Sequence, residues 1–300
     1  MVTLSSESAK YVLFFPTHQS PDVSTYSSLY SYEVTDLDWK GSRSESVHGL
    51  ILTSVIKIWN PTLRRFLELP HPPGEHSSSR GWWSYWPVNT KYSAYYLKKY
   101  SDQPLVLTLG AQESWRTVTK GRFPMHRPTG EYGRCFDGIL YYRGRLLGGG
   151  HDDVIMSFDV KSENFSPINF AEDRSRQLHM IPYEGKVALV TLTSNVVKLY
   201  VLKDAHGHEW TRFDLRVPCK SVGKNSIHFR GTSDAGELIF APYSFYGDSY
   251  ILYLDLRRNS TRRVFFERDM GDFKSRSGLD SKHVFTVEVF PNHIESFFSL

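Results

Sequence analysis

Cysteine is nearly missing: Cys135 and Cys219 are the only two in 300 residues, too few for a disulfide framework. No stretch approaches the ~20 apolar residues that a membrane-spanning helix needs. The apolar run from Tyr11 to Pro16 is too short for the core of a secretory signal. These absences set the expectation of an intracellular protein, cytoplasmic or nuclear, with no membrane partner. No segment sustains an apolar period of 3.6, which argues against long amphipathic helices. Charge of one sign is lacking as well. Thirty-six Lys and Arg against 32 Asp and Glu leave +4, without the basic stripe of a nucleic-acid binder. The densest cluster, Arg257, Arg258, Arg262 and Arg263, brackets a predicted turn at Asn259-Ser260 and reads as a solvated hairpin end.

What the chain has is aromatic residues, 15% of the total, and these favour strands because flat side chains pack well on a pleated sheet. It also has a weak repeat. Ile56-Lys57-Ile58-Trp59, Leu105-Val106-Leu107-Thr108, Ile155-Met156-Ser157-Phe158, Val197-Lys198-Leu199-Tyr200 and Ile251-Leu252-Tyr253-Leu254 share an alternating apolar pattern. Their fourth residues, 59, 108, 158, 200 and 254, are spaced by 49, 50, 42 and 54. Phe66, Trp115 and Phe165 lie seven residues past their anchors and Trp210 lies ten past Tyr200, each across a polar turn. Before four of the anchors a glycine (Gly49, Gly138, Gly185, Gly236) precedes an apolar strand and permits the positive φ of a tight turn.

Each unit thus holds at least three strands in about fifty residues, and a sheet of that kind buries both faces only against its neighbours. The predicted fold is an all-β, propeller-like one of kelch-type period, with six blades or five and a remnant. Residues 11–40 supply a further blade, and Val284 to Val289 closes the ring beside an N-terminal strand. Paired β-sandwiches are the alternative. Pro70 to Pro87 reads as a long loop between blades.

The residues also resemble a known family. Gly49-Leu50-Ile51, then Ile58-Trp59-Asn60-Pro61-Thr62-Leu63-Arg64-Arg65 and Leu69-Pro70, resemble the opening of plant F-box-associated interaction domains. Ser114-Trp115-Arg116, Phe136-Asp137-Gly138-Ile139-Leu140-Tyr141, Ser157-Phe158-Asp159-Val160 with Glu163 and Phe165, Gly236-Glu237-Leu238-Ile239 and Arg262-Arg263-Val264 are similar to its type 3 branch. The resemblance runs from about residue 47 to the end. It implies a non-catalytic protein-interaction module, the substrate-recognition half of a cullin-based ubiquitin-ligase adaptor. Residues 47–300 are then the F-box-associated domain. Residues 1–46 stand as a possible first blade in place of the helical F-box, since Pro16 and Pro21 break any helical phase there. The partner implied is a substrate protein, with the ligase scaffold bound only if an F-box is supplied elsewhere.

The enzyme alternative is a propeller hydrolase or lyase acting on carbohydrate, and a third reading is a scaffold unrelated to ubiquitin. Thr232-Ser233-Asp234-Ala235-Gly236 echoes a sialidase Asp-box without its closing aromatic, and reads as a Ser-Asp turn. His206-Gly207-His208-Glu209 offers too few converging ligands for zinc. Gly148-Gly149-Gly150-His151-Asp152-Asp153 lacks the Gly-Lys-Ser/Thr ending of a phosphate loop. No catalytic residue, cofactor or metal ligand is therefore assigned. Candidate partner-binding residues are Trp82, Trp83, Tyr85 and Trp86, where three Trp fall in five positions, and the aromatic group Tyr243, Phe245 and Tyr246. Trp and Tyr anchor interfaces because they bury much area with few torsions. The competing reading has alternate members of the Trp set filling space between blades, and the Tyr243 group packed as a hairpin on its own blade.

Overall fold

The computed structural model describes residues 1–5, 10–14, 30–34, 46–52, 57–73, 81–88, 91–98, 104–108, 114–119, 123–129, 133–147, 153–170, 178–193, 196–204, 209–216, 227–233, 235–245, 250–265, 285–291, 293, 295 and 297. Among these there is no helix. Three N-terminal strands, β1 (Val2–Ser5), β2 (Lys10–Phe14) and β3 (Tyr30–Glu33), are followed by antiparallel sheets in chain order. The first is β4 (Ser46–Val47), β5 (Leu50–Leu52), β6 (Lys57–Asn60) and β7 (Arg65–Glu68). The second is β8 (Gly81–Val88), β9 (Lys91–Lys98), β10 (Leu105–Thr108) and β11 (Arg116–Thr117). In the third, β12 (His126–Pro128) and β13 (Arg134–Phe136) both pair with β14 (Ile139–Leu146), which leads to β15 (Asp153–Asp159) and β16 (Asn164–Asn169). The fourth is β17 (His179–Tyr183), β18 (Lys186–Thr193), β19 (Val196–Leu202) and β20 (Trp210–Arg216). The fifth is β21 (Ile227–Thr232), β22 (Leu238–Pro242), β24 (Tyr250–Asp255) and β25 (Ser260–Phe265). The short β23 (Ser244–Phe245) and the late β26 (Phe285–Val289) join the N-terminal strands in the order β23-β26-β1-β2-β3. Four of these sheets are continuous runs of chain, the fifth is interrupted by β23, and one draws strands from both ends of the chain.

The chain divides into two compact units, one of residues 1–38, 190–199 and 213–295, the other of residues 39–189, 200–212 and 296–300. In the second unit, the first strands of successive sheets touch in order, β4 with β8, β8 with β13 and β13 with β17. That is the radial arrangement of propeller blades rather than the face-to-face stacking of a sandwich. In the first unit β26 pairs with β1 over Val2↔Val289 to Ser5↔Thr286, the closing pairing expected from the sequence, and so covers a sheet edge.

All five repeat anchors lie on the third strand of their sheets, and Trp59, Phe158, Tyr200 and Leu254 are all buried there. Trp59 pairs with Phe66 and Phe158 with Phe165, the rings stacked at 6.1 and 4.5 Å. The residue after the anchor shapes the turn. Asn60 accepts from the Leu63 N–H, Asp159 from Lys161 and Ser162, and Asp255 from Arg257 and Arg258. Five residues past the anchor, Arg64, Glu163 and Asn259 take positive φ. An acceptor side chain at the strand end thus bends the chain into a compact turn. At the other hairpin of each unit, His48-Gly49 and Asp137-Gly138 place two successive residues at positive φ, the two-residue turn whose twist matches its strands.

Candidate interaction surface

The Trp cluster is not a loop. Gly81–Val88 is the strand β8, paired with β9 through Trp82↔Leu97, Trp83↔Tyr96, Tyr85↔Ala94 and Trp86↔Ser93. Pro87 is compatible with this because β8 ends its sheet, where one side of the strand needs no ladder bond. The loop expected over Pro70 to Pro87 is corrected over Gly81 to Pro87, where aromatic alternation outweighs the flanking prolines, while residues 74–80 lie outside the described residues. Pairing places 82, 84 and 86 on the face that carries Tyr95 and Leu97, and 83 and 85 on the face of Tyr96. Tyr95, Tyr96 and Leu97 are at most 1% exposed, so both faces of the sheet are covered beside the cluster. Tyr95 packs with Tyr142 and Phe158 of the third sheet, and Tyr96 meets the Trp115 ring. The side chains of Trp82, Trp83, Tyr85 and Trp86 lie outside the described residues.

The second candidate group differs from expectation in another way. Its hairpin does not stay on its own sheet: Ser244 and Phe245 pair with Thr286 and Phe285 of β26. The Tyr243 carbonyl accepts from the Val287 N–H at 2.9 Å, which turns the chain off β22 and onto the neighbouring sheet. The Tyr243 side chain remains 55% exposed, edge-on to His228 at 6.1 Å. Below it Arg230 donates to the Pro242 carbonyl at 3.0 Å. The Phe245 side chain and the whole of Tyr246 lie outside the described residues.

The polar residues that the sequence could not place form the frame of the second unit. Arg116 of β11 reaches Glu163 in the β15–β16 turn at 2.6 Å, and Glu163 is buried. The Trp115 indole N–H donates to the Pro70 carbonyl at 2.6 Å, and Trp210 repeats the contact on Asn169 at 2.9 Å. Arg134 of β13 donates to the Met180 carbonyl of β17 at 3.3 Å. In the first unit Glu237 holds Arg262 through two oxygens at 3.0 Å each, with that guanidinium 3.8 Å over Tyr253.

The chain is similar to known proteins. A family model described as the F-box associated beta propeller domain matches residues 1–294. The chain belongs to that family. F-box protein At5g18160 of Arabidopsis thaliana is 36% identical over 298 residues, covering 95% of this chain and 74% of the relative. Two further Arabidopsis relatives, both carrying F-box protein names, are 36% and 33% identical, over 86% and 94% of this chain and 69% and 78% of their own lengths. The family match begins at residue 1, whereas the resemblance read from motifs starts near residue 47.

Burial pushes the Cys135 thiol up to about 11, which keeps it from acting as a thiolate. Ser233 bonds Glu237 through its hydroxyl and forms a turn, as read from Thr232 to Gly236. Among the described residues no three His, Cys, Asp or Glu gather as a metal site. Residues 205–208 and 148–152, holding the His206-Gly207-His208 and triple-glycine segments, lie outside the described residues. The sequence reading missed Glu163 as an ion-pair partner and His126 as a core residue. The signal for Glu163 was its place five past an anchor, a position that demands an unusual backbone. For His126 there was none.

Proposed function

We propose that this F-box-associated domain is a non-catalytic protein-recognition module, the substrate-binding half of a cullin-based ubiquitin-ligase adaptor that works inside the cell. The observation that carries this reading is the family match over residues 1–294, with relatives that bear F-box protein names. The way the domain spends its polar side chains supports it. Glu163, Glu237 and His126 hold strands and turns together, and so serve a rigid frame, on which binding groups are best presented. The N-terminal strands β1 to β3 stand as a blade with β26, and scaffold binding requires an F-box in addition.

Tyr243 is the candidate anchor, exposed at a point where its own backbone is fixed by the bond to Val287. Proteomic capture on the purified chain, followed by binding of the captured substrate to variants, tests the reading. Tyr243→Ala is expected to weaken binding by about 2 kcal/mol, roughly thirtyfold, with an unchanged melting temperature. Trp82→Ala and Trp86→Ala are expected to lower stability while affinity per folded molecule holds. Unchanged affinity in all three removes these residues from the partner surface. Residues 1–300 alone are expected to bind the scaffold's adaptor subunit no better than micromolar. Nanomolar association would overturn the requirement for a separate F-box.

A further inference from the structure

A hydrogen-bond chain crosses from the second sheet to the third. The Tyr95 hydroxyl of β9 lies 3.3 Å from the Tyr142 hydroxyl of β14, which lies 2.7 Å from His126 Nε2 of β12. His126 Nδ1 is 2.6 Å from the Pro124 carbonyl. A carbonyl only accepts, so Nδ1 carries the imidazole hydrogen and Nε2 is the acceptor. Tyr142 therefore donates to His126. All three side chains are buried, and the relay is complete only with a neutral imidazole.

Among the described residues, the rings that surround the imidazole are aromatic. Phe123 lies 4.9 Å from the imidazole, Tyr142 5.5 Å and Phe165 6.5 Å, ring to ring. Gly144 leaves its space to Met156 and to the imidazole itself. The hydrophobic cluster packed here includes the titratable Tyr95 of β9, Tyr142 of β14 and Cys135 of β13. The strands around it also carry Arg127, Arg134, Tyr141, Arg143, Arg145, Asp153 and Asp159, with Arg145 and Asp153 paired to each other. The nearby carboxylate Glu163 is already engaged by Arg116.

We propose that His126 is an acid-sensitive latch on the junction between the second and third sheets. Neutral, it receives the Tyr142 hydrogen and closes the relay. A proton on Nε2 turns that acceptor into a donor, reverses the Tyr142 hydroxyl, and buries a cation among aromatic rings. Burial accordingly holds the imidazole below its ordinary range. The segment leading into β12 rests on the same ring: Phe123 packs tilted against it, and the Met125 carbonyl accepts from the Leu147 N–H at 2.8 Å. Met125 itself is 59% exposed. Opening the latch thus loosens a surface segment as well as the core.

Amide hydrogen exchange of the full chain between pH 7.5 and 5, corrected for intrinsic rates, tests this with His126→Gln and Tyr142→Phe. In the unaltered chain, β9, β12 and β14 lose protection below about pH 6, before the ladders of the first unit do. His126→Gln keeps an acceptor and does not titrate, so the selective loss disappears. Tyr142→Phe removes the donor that favours neutral imidazole, so the folded chain refuses the proton less strongly and the acid-induced loss of protection shrinks. An equal selective loss in His126→Gln, or an undiminished one in Tyr142→Phe, overturns the latch. If His126→Gln does not fold, the extent of the loss in Tyr142→Phe decides alone.

Discussion

His126 and His293 carry an acid dependence whose sign follows from burial. Burial lowers both, His293 to about 3, against an unfolded value of about 6.5. Between the two values the unfolded chain binds protons that the native one refuses. Stability is therefore complete above about pH 6.5 and is lost as pH falls toward the folded values, by up to ~1.4 kcal/mol per unit for each group. Urea titrations at pH 7.5, 6 and 5 check this: His293→Gln is expected to flatten the slope, and an identical slope removes His293 as a source. The Arg116–Glu163 pair makes a second residue-scale case. Its arginine is partly exposed and its glutamate is not, so the two deletions differ. Arg116→Ala strands a buried carboxylate and is expected to cost about 2–3 kcal/mol, below the ~3–5 kcal/mol for breaking a fully buried pair because the arginine is partly exposed. Glu163→Gln, which leaves a neutral amide, is expected to cost less. Equal costs would place the interaction in solvent.

Two glycines show how turn and strand use the same residue for different reasons. Gly138 stands at φ +79 with nothing within 4 Å of an added Cβ. Gly138→Ala meets open space, and its expected cost of about 1 kcal/mol is conformational alone. Gly144 has no such backbone, but an added Cβ comes 3.0 Å from Met156 Cγ and 3.2 Å from the His126 ring. Gly144→Ala overpacks the core and is expected to cost about 1–3 kcal/mol. Thermal melts of both separate the mechanisms, because Gly138→Asn, tolerant of positive φ, is expected to recover most of the loss. No recovery would mean that turn strain is not the cause. The indoles of Trp115 and Trp210 belong to this scale as well. Each sits at the start of an outer strand and bonds a carbonyl at or just past the end of the preceding sheet's outer strand. The spacing of seven or ten residues past an anchor reports that strap. The carbonyl each indole reaches is some 40 residues away, so the partner leaves no mark in the neighbouring sequence.

At the scale of the chain, β26 fastens the N-terminal strands. It pairs with β1 along one edge and β23 along the other, and Val287 is fully buried between them. Val287→Pro deletes the N–H that reaches Tyr243 and clashes within the ladder. The expected cost is about 3 kcal/mol or more, with loss of amide protection in Val2–Ser5. Protection retained there would show that β1 holds without its closing strand.

The sequence by itself determined the repeated unit. Anchor, Asn or Asp, turn and glycine recur because local backbone chemistry imposes them, and local chemistry is written in consecutive residues. It also carried the closing strand, whose alternation leaves it no partner except another strand edge. The residues that mark the family, Trp115, Arg116, Glu163, Phe165, Glu237 and Arg262, proved to be frame residues, which is why their order was readable while their partners were not. Tertiary structure alone decided that Trp82 to Trp86 run in a strand at a sheet edge, that Tyr243 is left exposed by a chain crossing between sheets, and that His126 joins two tyrosines. Those outcomes depend on which sheets meet. A pairing between residues tens of positions apart leaves no periodicity in either segment, so only the packed sheets could show it.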